Sequence, residues 1–586
     1  MSLKSMGQNA MELVRREGLR AVPHYAYTKF RIFQTRDAQQ AHSAARARNE
    51  AGYNAWLMAQ QPDAAERKRQ HNTAFSHRLS FLIPTYNTEP ALLAALVDSL
   101  LAQTTDAWEA CFYDGCSPRE DTRQALKAQA ARDPRIRVEL GTENLGIAGN
   151  TNRALVMAQG DWVALVDHDD LLTPDATYCV LHAAEQGADM VYSDEDKCSA
   201  DGTHFFDPHL KSDFAPDTLR AGNYICHLMA MEKALMERVG ALRAECDGSQ
   251  DHDLALRASE QARKITHIRR ILYHWRMLDT SESHQRVEKC ALAAARAVDD
   301  QLKRLHLSGH AESRDLQVHI TYDLHPEDTV TVIAVCDAKG TQHWLRRLAR
   351  VTPEHPVQVL LIGAEKECTF QGQPCERMAV KGGLSDTLNA AVQRARGTFV
   401  LFLHQGVLPM KAGWLSALQM YAQRSDVSCA GTALMTPGKL YLHAGYAVGV
   451  PSVVVSHHAG VSYVNRPYML TDRLVRNVTA VSGAEMMLRR ETFLRLGGFE
   501  SYASDLRCAA LGLRAQEAGL LNVYVPDAAA LWHGAEPPCL TAPPSTADAA
   551  LFRASFSHPV EHYYSPLFDA AQGQMLIDLT KKEPEA

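Results

Sequence analysis

Three acidic residues stand close together in the segment DWVALVDHDD, at Asp167, Asp169 and Asp170. Ionised carboxylates this near to one another repel, which raises their pKa values. A divalent cation removes that repulsion, and oxygen ligands select Mg2+ or Mn2+, which commonly bridge one or two carboxylates to a diphosphate. A helix start at Thr173-Pro174 is the competing explanation. It does not account for three acids in four positions, so the motif favours a metal site.

A second pair of acids, Asp251 and Asp253, lies in GSQDHD, directly before the helical pattern LALRASEQA. Acids are favourable at the N-terminus of any helix, so the pair needs no chemical role. The alternative is that one of them is a general base, which takes the proton from an acceptor hydroxyl group. These two residues on their own support both interpretations equally.

Other candidate motifs carry weaker signals. His274 in HWR could bind a metal or contact phosphate, although a lone histidine is more often structural. The segment YSDEDK (192–197) fits a solvated turn as well as a substrate contact. His457 and His458 lack further ligands at metal-binding spacing, so a pair within a loop is expected. The sequence contains no G-x-x-x-x-G-K-[ST], G-x-S-x-G or H-E-x-x-H motif.

Composition indicates a globular protein of two to four domains, with 586 residues, 46% hydrophobic and 22% charged. The net charge of -7 disfavours a nucleic-acid partner, and 13 cysteines without a C-x-x-C pair favour a reducing compartment. No secretory leader pattern opens the chain, and the uncharged run 440–465 contains histidines and a proline. We therefore expect a cytoplasmic protein, with loops and strands in that run.

The first 50 residues differ from the rest, with nine Lys and Arg against four Asp and Glu. The aromatic segment HYAYTKFRIF (24–33) lies among these charges. Such a segment can attach peripherally to an anionic membrane surface, at the inner face of a bacterial plasma membrane. A solvated helical extension also explains the composition, and it is the favoured interpretation. The segment AERKRQHN (65–72) is expected to be a linker.

Apolar runs with strand character alternate with helical patterns from residue 79 onward, which predicts a mostly parallel sheet with helices on both faces. In such sheets ligands bind beyond the carboxyl ends of the strands. Pro84 to Asn87, Asp114 and the acidic motif all follow strands, so we expect them to converge on one cleft. The four predicted strands are LSFLIPTYN (79–87), WEACFYDG (108–115), IRVEL (136–140) and DWVALVDHDD (161–170).

The chain contains an internal repeat. Residues 146–170 align without a gap with 383–407, which lie 237 positions later. Residues 233–242 and 248–257 align with 490–499 and 505–514 at an offset of 257. The alignment predicts two copies of one α/β domain, the second with about 20 extra residues.

The two copies differ at the acidic positions. His404, Gly406 and Val407 replace the three acids of the first motif, and Cys508 and Ala510 replace those of the second. Apolar and glycine positions are kept. The paired loss predicts one active and one inert copy, and it favours a catalytic role for the second acidic pair.

Eight segments occur in an order that resembles the family 2 glycosyltransferases of the GT-A fold, over residues 80 to 280. The chain is especially similar to two-module bacterial enzymes of O-antigen and related surface-glycan assembly, and VSGAEMMLRRETFLRLGGFE (481–500) and LRAQEAGLLNVYVP (513–526) resemble their second module. The eight segments are PTYNTEP, FYDGCSP, ENLGIAGNTNRAL, LVDHDDLLTP, YSDEDK, NYICH, GSQDHDLALR and LYHWR.

The resemblance implies a nucleotide-sugar donor, a divalent metal (Mn2+ or Mg2+) and inversion at the anomeric carbon, with hexosyl or deoxyhexosyl transfer to a glycan or lipid-linked glycan. Asp251 would be the base. Asp167, Asp169 and His274 would bind the metal. Acceptor contacts would come from His227, Gln250 and Trp275. Donor-binding residues would be Pro84, Thr85, Tyr86, Asn87, Asp114, Asn144, Asn152, Asp167 and His168.

Two departures from the family pattern leave the nucleotide open among UDP, dTDP and GDP. Many members have Asp-Asp-Gly-Ser where this chain has Tyr113-Asp114-Gly115-Cys116, and many have Arg at the position of Thr151. Two alternative functions also stay open. A nucleotidyltransferase would normally show a basic phosphate loop, which PTYNTEP lacks, and a non-catalytic glycan-binding or scaffold protein would not need the acids of the first copy.

The expected architecture is α/β, with two tandem GT-A-like domains and a mostly parallel sheet in each. The predicted boundaries are a basic helical extension (1–75), an active domain (76–283), a helical connector (284–325), a degenerate domain (326–535) and a C-terminal tail (536–586).

Overall fold

A computed structural model shows a mixed α/β chain with two large sheets. The residues it describes are 44, 46–278, 287–337, 339–449, 453–463, 468–534, 537–540, 544–569 and 575–584. The first 43 residues lie outside this set, so the predicted membrane contact of the basic N-terminus stays a prediction.

The first module, residues 76–278, is built on a nine-stranded sheet. Its path is β3-β2-β1-β4-β8-β6-β9-β5, with β7 paired to β6. The strands are β1 Leu79–Thr85, β2 Trp108–Asp114, β3 Ile136–Leu140, β4 Trp162–Leu165, β5 Leu171–Leu172, β6 Met190–Cys198, β7 Phe205–His209, β8 Met229–Glu232 and β9 Ile265–Arg276. Its helices are α3 Pro90–Leu101, α4 Glu120–Ala130, α5 Gly146–Met157, α6 Ala176–Glu185, α7 Pro216–Ala221, α8 Lys233–Arg238 and α9 Gln250–Gln261.

The central strands of this sheet are apolar because helices cover both faces. Phe81 and Ile83 of β1 pack into one buried cluster with Leu93 and Leu96 of α3. Leu82, which points to the opposite face, packs into a second cluster that includes residues of α5 and α9. β1, β2, β3 and β4 are parallel, so their carboxyl ends meet at one edge. The predicted fold class is confirmed.

The second module repeats the first seven positions of this strand order, whereas the counterpart of β5 pairs in a separate four-stranded sheet. Its main sheet follows the order β16-β13-β12-β17-β25-β19-β26-β24. The strands of this module are β12 Val330–Val335, β13 Gln358–Ile362, β14 Thr369–Phe370, β15 Gln373–Pro374, β16 Glu376–Met378, β17 Phe399–His404, β18 Val407–Pro409, β19 Val427–Gly431, β20 Leu434–Met435, β21 Tyr441–His443, β22 Tyr446–Val448, β23 Val454–Ser456, β24 Arg476–Val478, β25 Glu485–Arg489, β26 Leu521–Tyr524 and β27 Ala530–Trp532. Its helices are α11 Thr341–Ala349, α12 Leu384–Arg394, α13 Trp414–Ala422, α14 Arg490–Arg495 and α15 Leu506–Glu517.

Strand register supports both offsets of the internal repeat. Leu171 of β5 pairs with His274 of β9 in the first module, and Leu408 pairs with Leu531 in the second. Leu408 lies 237 positions after Leu171, and Leu531 lies 257 positions after His274. The two sequence offsets therefore describe the same strand pairing in both modules.

The segments outside the two sheets differ from several sequence expectations. The expected linker at 65–72 is mostly helical, in α2 Ala64–His71, which follows a helix α1 over 46–60. The connector is helical only over α10 Val287–Arg304, since β10 Gly309–Arg314 and β11 Gln317–Tyr322 form a hairpin. The C-terminal segment contains α16 Thr546–Ser555. Strands occupy the described part of 440–465, as predicted.

The C-terminal segment returns to the first module. The backbone N–H of Ile271 in β9 donates to the Glu583 carboxylate at 2.9 Å, and the Trp56 indole of α1 donates to the Lys581 carbonyl at 2.8 Å. The predicted tail is thus packed between α1 and the sheet. Among the described residues, no helix is long and apolar enough to span a bilayer.

The two modules meet at a buried ion pair. The guanidinium of Arg424 pairs with the carboxylate of Asp217, at the start of α7, and Asn477 donates to the same carboxylate at 2.9 Å. Arg220 adds a second cation at 3.2 Å. Asp217 and Arg424 are almost fully buried, so neither charge has water as an alternative partner.

We expect Arg424→Ala to lower the free energy of unfolding by about 3–5 kcal/mol, because it leaves Asp217 buried without its main cation. Arg396→Ala is the control, since Arg396 is largely exposed in its pair with Glu376, and should cost less than about 1 kcal/mol. Urea unfolding followed by circular dichroism measures both. Equal losses in the two variants would contradict the importance of the buried pair.

Candidate functional site

The carboxyl ends of β1 and β2 form one wall of a cleft around Asp114. This buried carboxylate accepts hydrogen bonds from the Thr85 hydroxyl at 3.3 Å and from the Ser117 hydroxyl and N–H at 2.5 and 2.8 Å. The Ser117 hydroxyl in turn accepts from the N–H of Asn87 at 2.8 Å. Asp114 therefore fixes the two loops that follow the strands. Tyr86, between Thr85 and Asn87, is 44% exposed and available to a ligand.

The same wall is completed by the N-terminus of α5. Asn144 accepts hydrogen bonds from the N–H of Gly146 and from the buried Asn150 amide, at 3.1 and 3.0 Å. A Cβ atom at Gly115 would lie 2.4 Å from the Asn150 amide nitrogen. The loop after β2 therefore contacts the first turns of α5 there, without a side chain between them. The predicted donor residues of β1, β2 and α5 are thus neighbours.

Asn152 is a correction to the predicted donor-binding set. Its amide both accepts from the N–H of Leu242 and donates to the carbonyl of Leu242, at 3.0 and 2.8 Å. Asn389 makes the same pair of bonds with Phe499 in the second module, at 2.8 Å each. The matching pairs identify Asn152 as a structural residue that ties α5 to the loop before α9.

The acidic motif follows β4, and its three members have different environments. Asp170 is 1% exposed and accepts from the Tyr273 hydroxyl at 2.5 Å and the Arg276 N–H at 2.7 Å. Those bonds join the motif to β9. Asp167 and Asp169 have side chains that are 50% and 21% exposed, and no lysine or arginine among the described residues pairs with them. These two carboxylates are the ones open to a ligand.

Burial raises the pKa of both Asp167 and Asp170, and the nearby Asp169 adds to the rise at each. His227 opposes the rise at Asp167, with its Nε2 3.5 Å from the carboxylate. Since half of the Asp167 side chain faces the cleft, water limits the rise in its pKa more than it does at Asp170. A cation at the open pair would restore ionisation.

His274 lies apart from the open pair. Its Nδ1 is 2.5 Å from the Asp196 carboxylate, and its ring packs on Phe205. Successive residues of a strand face opposite sides, so the side chain of His274 points away from that of Tyr273, which binds Asp170. The described contacts of His274 are structural, and its metal-ligand role stays a prediction.

The open pair fits one mode of metal binding. Among the described residues, no three His, Cys, Asp or Glu side chains are grouped to hold an ion by themselves. Mg2+ and similar ions are commonly held by one or two carboxylates and completed by substrate phosphates and water. Asp167 and Asp169 supply the hard oxygen donors for that arrangement, and His168 lies beside them with its Nδ1 3.7 Å from Asp169.

The second acidic pair divides into one structural and one open residue. Asp253 is buried and forms ion pairs with Arg243 and Arg257. Asp251, in the first turn of α9, accepts a 2.7 Å hydrogen bond from the side-chain amide of Asn223. No lysine or arginine of the described chain pairs with Asp251. The two acids therefore have separate roles.

A loop over 223–228 links Asp251 to the acidic motif. Asn223 at its start contacts Asp251, and His227 at its end reaches Asp167 and stacks on Tyr273 with a ring separation of 4.7 Å. Of the other predicted acceptor residues, Gln250 accepts from the Gly248 N–H at 2.8 Å, at the start of α9, and Trp275 is half-buried on β9.

The segment YSDEDK is a buried strand, so the expectation of a solvated turn is wrong. Glu195 contacts Lys211 at 3.4 Å and His209 at 3.1 Å, and it accepts from the N–H of His227. Burial opposes its ionisation, but Lys211 and His209 outweigh that effect and hold the pKa of Glu195 at about 2. The buried pair of Glu195 and Lys211 thus supports the loop 223–228.

The second module has no open carboxylate at the corresponding positions. The ring of His404 packs edge-on against Trp532, and its Nδ1 lies 3.0 Å from the Gln405 carbonyl. A Cβ atom at Gly406 would lie 3.0 Å from the same Trp532 ring. Cys508, at the position of Asp251, is buried and donates to Asp505. Trp532 aligns with Trp275 of the first module at the offset of 257, so the modules differ here in the replaced acids and not in the indole.

Sequence analysis missed three residues of this site: Asn223, Lys211 and Tyr273. NYICH and LYHWR contain two of them, but no spacing links either to an acid. One signal existed for Tyr273, which Ala530 replaces in the second copy. The partners of Lys211 are two backbone carbonyls and Glu195, and no sequence pattern marks them.

Comparisons with known proteins show what this chain is similar to. The family model "Glycosyl transferase family 2" matches residues 80–239. The uncharacterized protein y4gI of Sinorhizobium fredii is 32% identical over 78% of this chain and 53% of its own length. The O-antigen biosynthesis protein RfbC of Myxococcus xanthus is 29% identical over 82% of this chain and 40% of its own. The chain thus spans about half the length of these relatives.

Among solved structures, S. aureus TarS residues 1–349 in complex with UDP-GlcNAc aligns with 38% of this chain and 66% of its own. The TM-score is 0.32 and the identity 20%.

The buried pair beneath the loop gives a pH-dependent prediction. Since folding lowers the pKa of Glu195 from 4.5 to about 2, its contribution of about 3 kcal/mol is present above pH 4.5 and lost as the pH falls towards 2. Glu195→Gln should therefore destabilise the protein at pH 7 by up to that amount, and its deficit should shrink in acid.

Urea unfolding at several pH values measures this difference. The exposed Glu139→Gln is the control, with an expected change below about 1 kcal/mol at every pH. A deficit for Glu195→Gln that stays constant from pH 7 to pH 3 would show that the charge of Glu195 does not matter.

Proposed function

We propose that the chain transfers a sugar from a nucleotide-sugar donor to a hydroxyl group of a glycan or lipid-linked glycan. The family model of glycosyl transferase family 2, which matches residues 80–239, supports this proposal. Inversion at the anomeric carbon is part of the proposal. The observation that carries the proposal is that the carboxylates fall into two groups, those with a basic partner and those without one. Asp167, Asp169 and Asp251 lack a lysine or arginine partner in the described chain, while the neighbouring acids are paired.

The proposed biological setting is the assembly of bacterial surface polysaccharide. Its support is the similarity, over 82% of this chain, to a protein named for O-antigen biosynthesis. The donor nucleotide would lie against the wall formed by Pro84, Thr85, Tyr86, Asn87 and Asp114.

The proposed chemistry needs one base and no enzyme nucleophile. Asp251 takes the proton from the acceptor hydroxyl as its oxygen attacks the anomeric carbon from the face opposite the leaving diphosphate. Displacement from that face inverts the configuration. His227, with its imidazole between Tyr273 and Asp167, would border the space between acceptor and donor.

Asp167 and Asp169 would hold a divalent cation, Mn2+ or Mg2+, together with the donor diphosphate. When bound, such an ion stabilises the negative charge that develops on the leaving group. His168 would lie beside this position.

The second module is proposed to be catalytically inert and to serve architecture or acceptor binding. Support comes from His404 and Cys508 at the positions of Asp167 and Asp251, where neither supplies a carboxylate. The ion pair between Arg424 and Asp217 connects this module to α7, directly before the loop 223–228.

Asp251→Asn should lower kcat by about 10²–10⁴, the usual worth of general-base catalysis, because an amide does not accept a proton near neutral pH. Donor affinity should be unchanged. Steady-state transfer and donor titration measure these quantities, with the exposed Asp98→Asn as the control. A decrease in kcat of less than about tenfold would assign the base role elsewhere.

Asp169→Ala should lower transfer by about 100-fold or more, because metal stabilisation of a leaving group is worth several kcal/mol. The wild type should lose transfer in EDTA and regain it with Mn2+. Circular dichroism checks that the variant is folded. Transfer by the wild type at its full rate in EDTA would rule out the proposed metal dependence.

His404→Ala in the full chain should leave kcat/KM for transfer within about twofold of the wild type, because its ring contacts only structural groups of the second module. Initial rates at several donor concentrations test this. Loss of transfer in this variant, with the first module intact, would show that the second copy takes part in the chemistry.

A further inference from the structure

The carboxylate of Asp251 has one side-chain partner among the described residues. Its Oδ2 accepts a hydrogen bond of 2.7 Å from the Nδ2 of Asn223. No side-chain hydrogen bond of the described chain reaches Oδ1, which leaves that oxygen for an acceptor hydroxyl. Asp253, two residues later, instead has both oxygens occupied, Oδ1 by Arg243 and Oδ2 by Arg257.

The orientation of the Asn223 amide is fixed by a second bond. Its Oδ1 accepts from the backbone N–H of Cys226 at 3.2 Å. Because an amide oxygen accepts and an amide nitrogen donates, this bond turns the NH2 group towards Asp251. Asn223 therefore offers Asp251 a donor and not an acceptor.

The loop that carries Asn223 is anchored by a buried cation. The Nζ of Lys211 donates to the carbonyls of Ile225 and His227, at 2.6 Å each, and the side chain of Lys211 is fully buried. Glu195 accepts from the N–H of His227 at 3.1 Å and neutralises Lys211. The loop is thus held by a charged group at a point two residues after Asn223.

We propose that Asn223 is a positioning residue, which binds Oδ2 of Asp251 and presents Oδ1 to the acceptor hydroxyl. This inference rests on the proposed function, in which Asp251 is the base. Asn223 also donates to the ionised form of the carboxylate, and a hydrogen bond to the ionised form favours that form.

Other titratable groups face Asp251 as well. Asp167 lies across the cleft, and Cys226 belongs to the same loop as Asn223. His252 and Asp253 follow on α9, where His252 bonds to the Leu219 carbonyl. None of these groups donates a hydrogen bond to Asp251, so the effect of Asn223 is separable from theirs.

The test is the pH dependence of kcat/KM for sugar transfer in the full chain. Asn223→Asp keeps an oxygen for the N–H of Cys226 but replaces the donor by a second carboxylate. Its acidic limb should move to higher pH by about one unit or more, and kcat at neutral pH should fall about tenfold to hundredfold, as expected for a lost hydrogen bond to a charged group. The KM for the donor should not change.

Asn223→Ala removes the same donor without adding charge, so its limb should move in the same direction by less. Asn389→Ala is the control, since its amide likewise makes two hydrogen bonds, both to the backbone of Phe499 in the second module. Its pH profile should equal that of the wild type. Thermal unfolding shows whether each variant is folded.

Unchanged acidic limbs and kcat in both Asn223 variants would overturn the proposal. Failure of the proposed function gives a different result, because the wild type would then transfer no sugar, or, if only the base is wrongly assigned, Asp251→Asn would also retain transfer. If Asp251→Asn is inactive and the Asn223 variants are indistinguishable from the wild type, only the positioning role is wrong.

Discussion

Parallel strands bring their carboxyl ends to one edge of the sheet, and this edge determines where the acids of the first module can act. β1, β2 and β4 end there, and α9 starts beside them. Carboxylates crowded at one edge need cations or hydrogen-bond donors, or they lose their charge. Which partner each acid has is therefore the main determinant of its role.

Acidic residues take two different roles under this constraint. Asp253 has two arginines, Glu195 has a lysine, and Asp170 has a tyrosine hydroxyl and a backbone N–H. These acids stabilise the loops. Asp169 and Asp251 have no such cation and face the cleft, so their charge is available to a metal or to a hydroxyl proton. The second module keeps the sheet and loses this second group of acids.

Because the chain contains two copies of one domain, comparing equivalent residues distinguishes those that serve packing from those that serve chemistry. Asn152 and Asn389 make identical pairs of backbone bonds in the two modules. The hydrogen bond from Ser80 to Glu109 has its counterpart in Thr331 and Gln358. Features present in both modules belong to the fold. Those confined to the first module, including Tyr273 on β9, belong to the candidate site.

Much of the fold was predictable because apolar runs and the repeat are local signals. Ile136–Leu140 is a strand over the predicted residues, and the two offsets match the register of β5 with β9. The side-chain roles were less predictable because they depend on distant partners. His274 forms a hydrogen bond with Asp196, 78 residues away, and Asp196 also contacts Tyr53 of α1.

The central claim is that the first module transfers a sugar, and one experiment tests it most directly. The full chain is incubated with a panel of UDP-, dTDP- and GDP-sugars, with and without Mn2+, and the released nucleotide is identified. The account predicts metal-dependent release of nucleoside diphosphate from one class of donor, and none from the Asp169→Ala variant. Release of sugar 1-phosphate instead of nucleoside diphosphate would indicate nucleotidyl transfer and contradict it. So would turnover that is unchanged by EDTA and by Asp169→Ala.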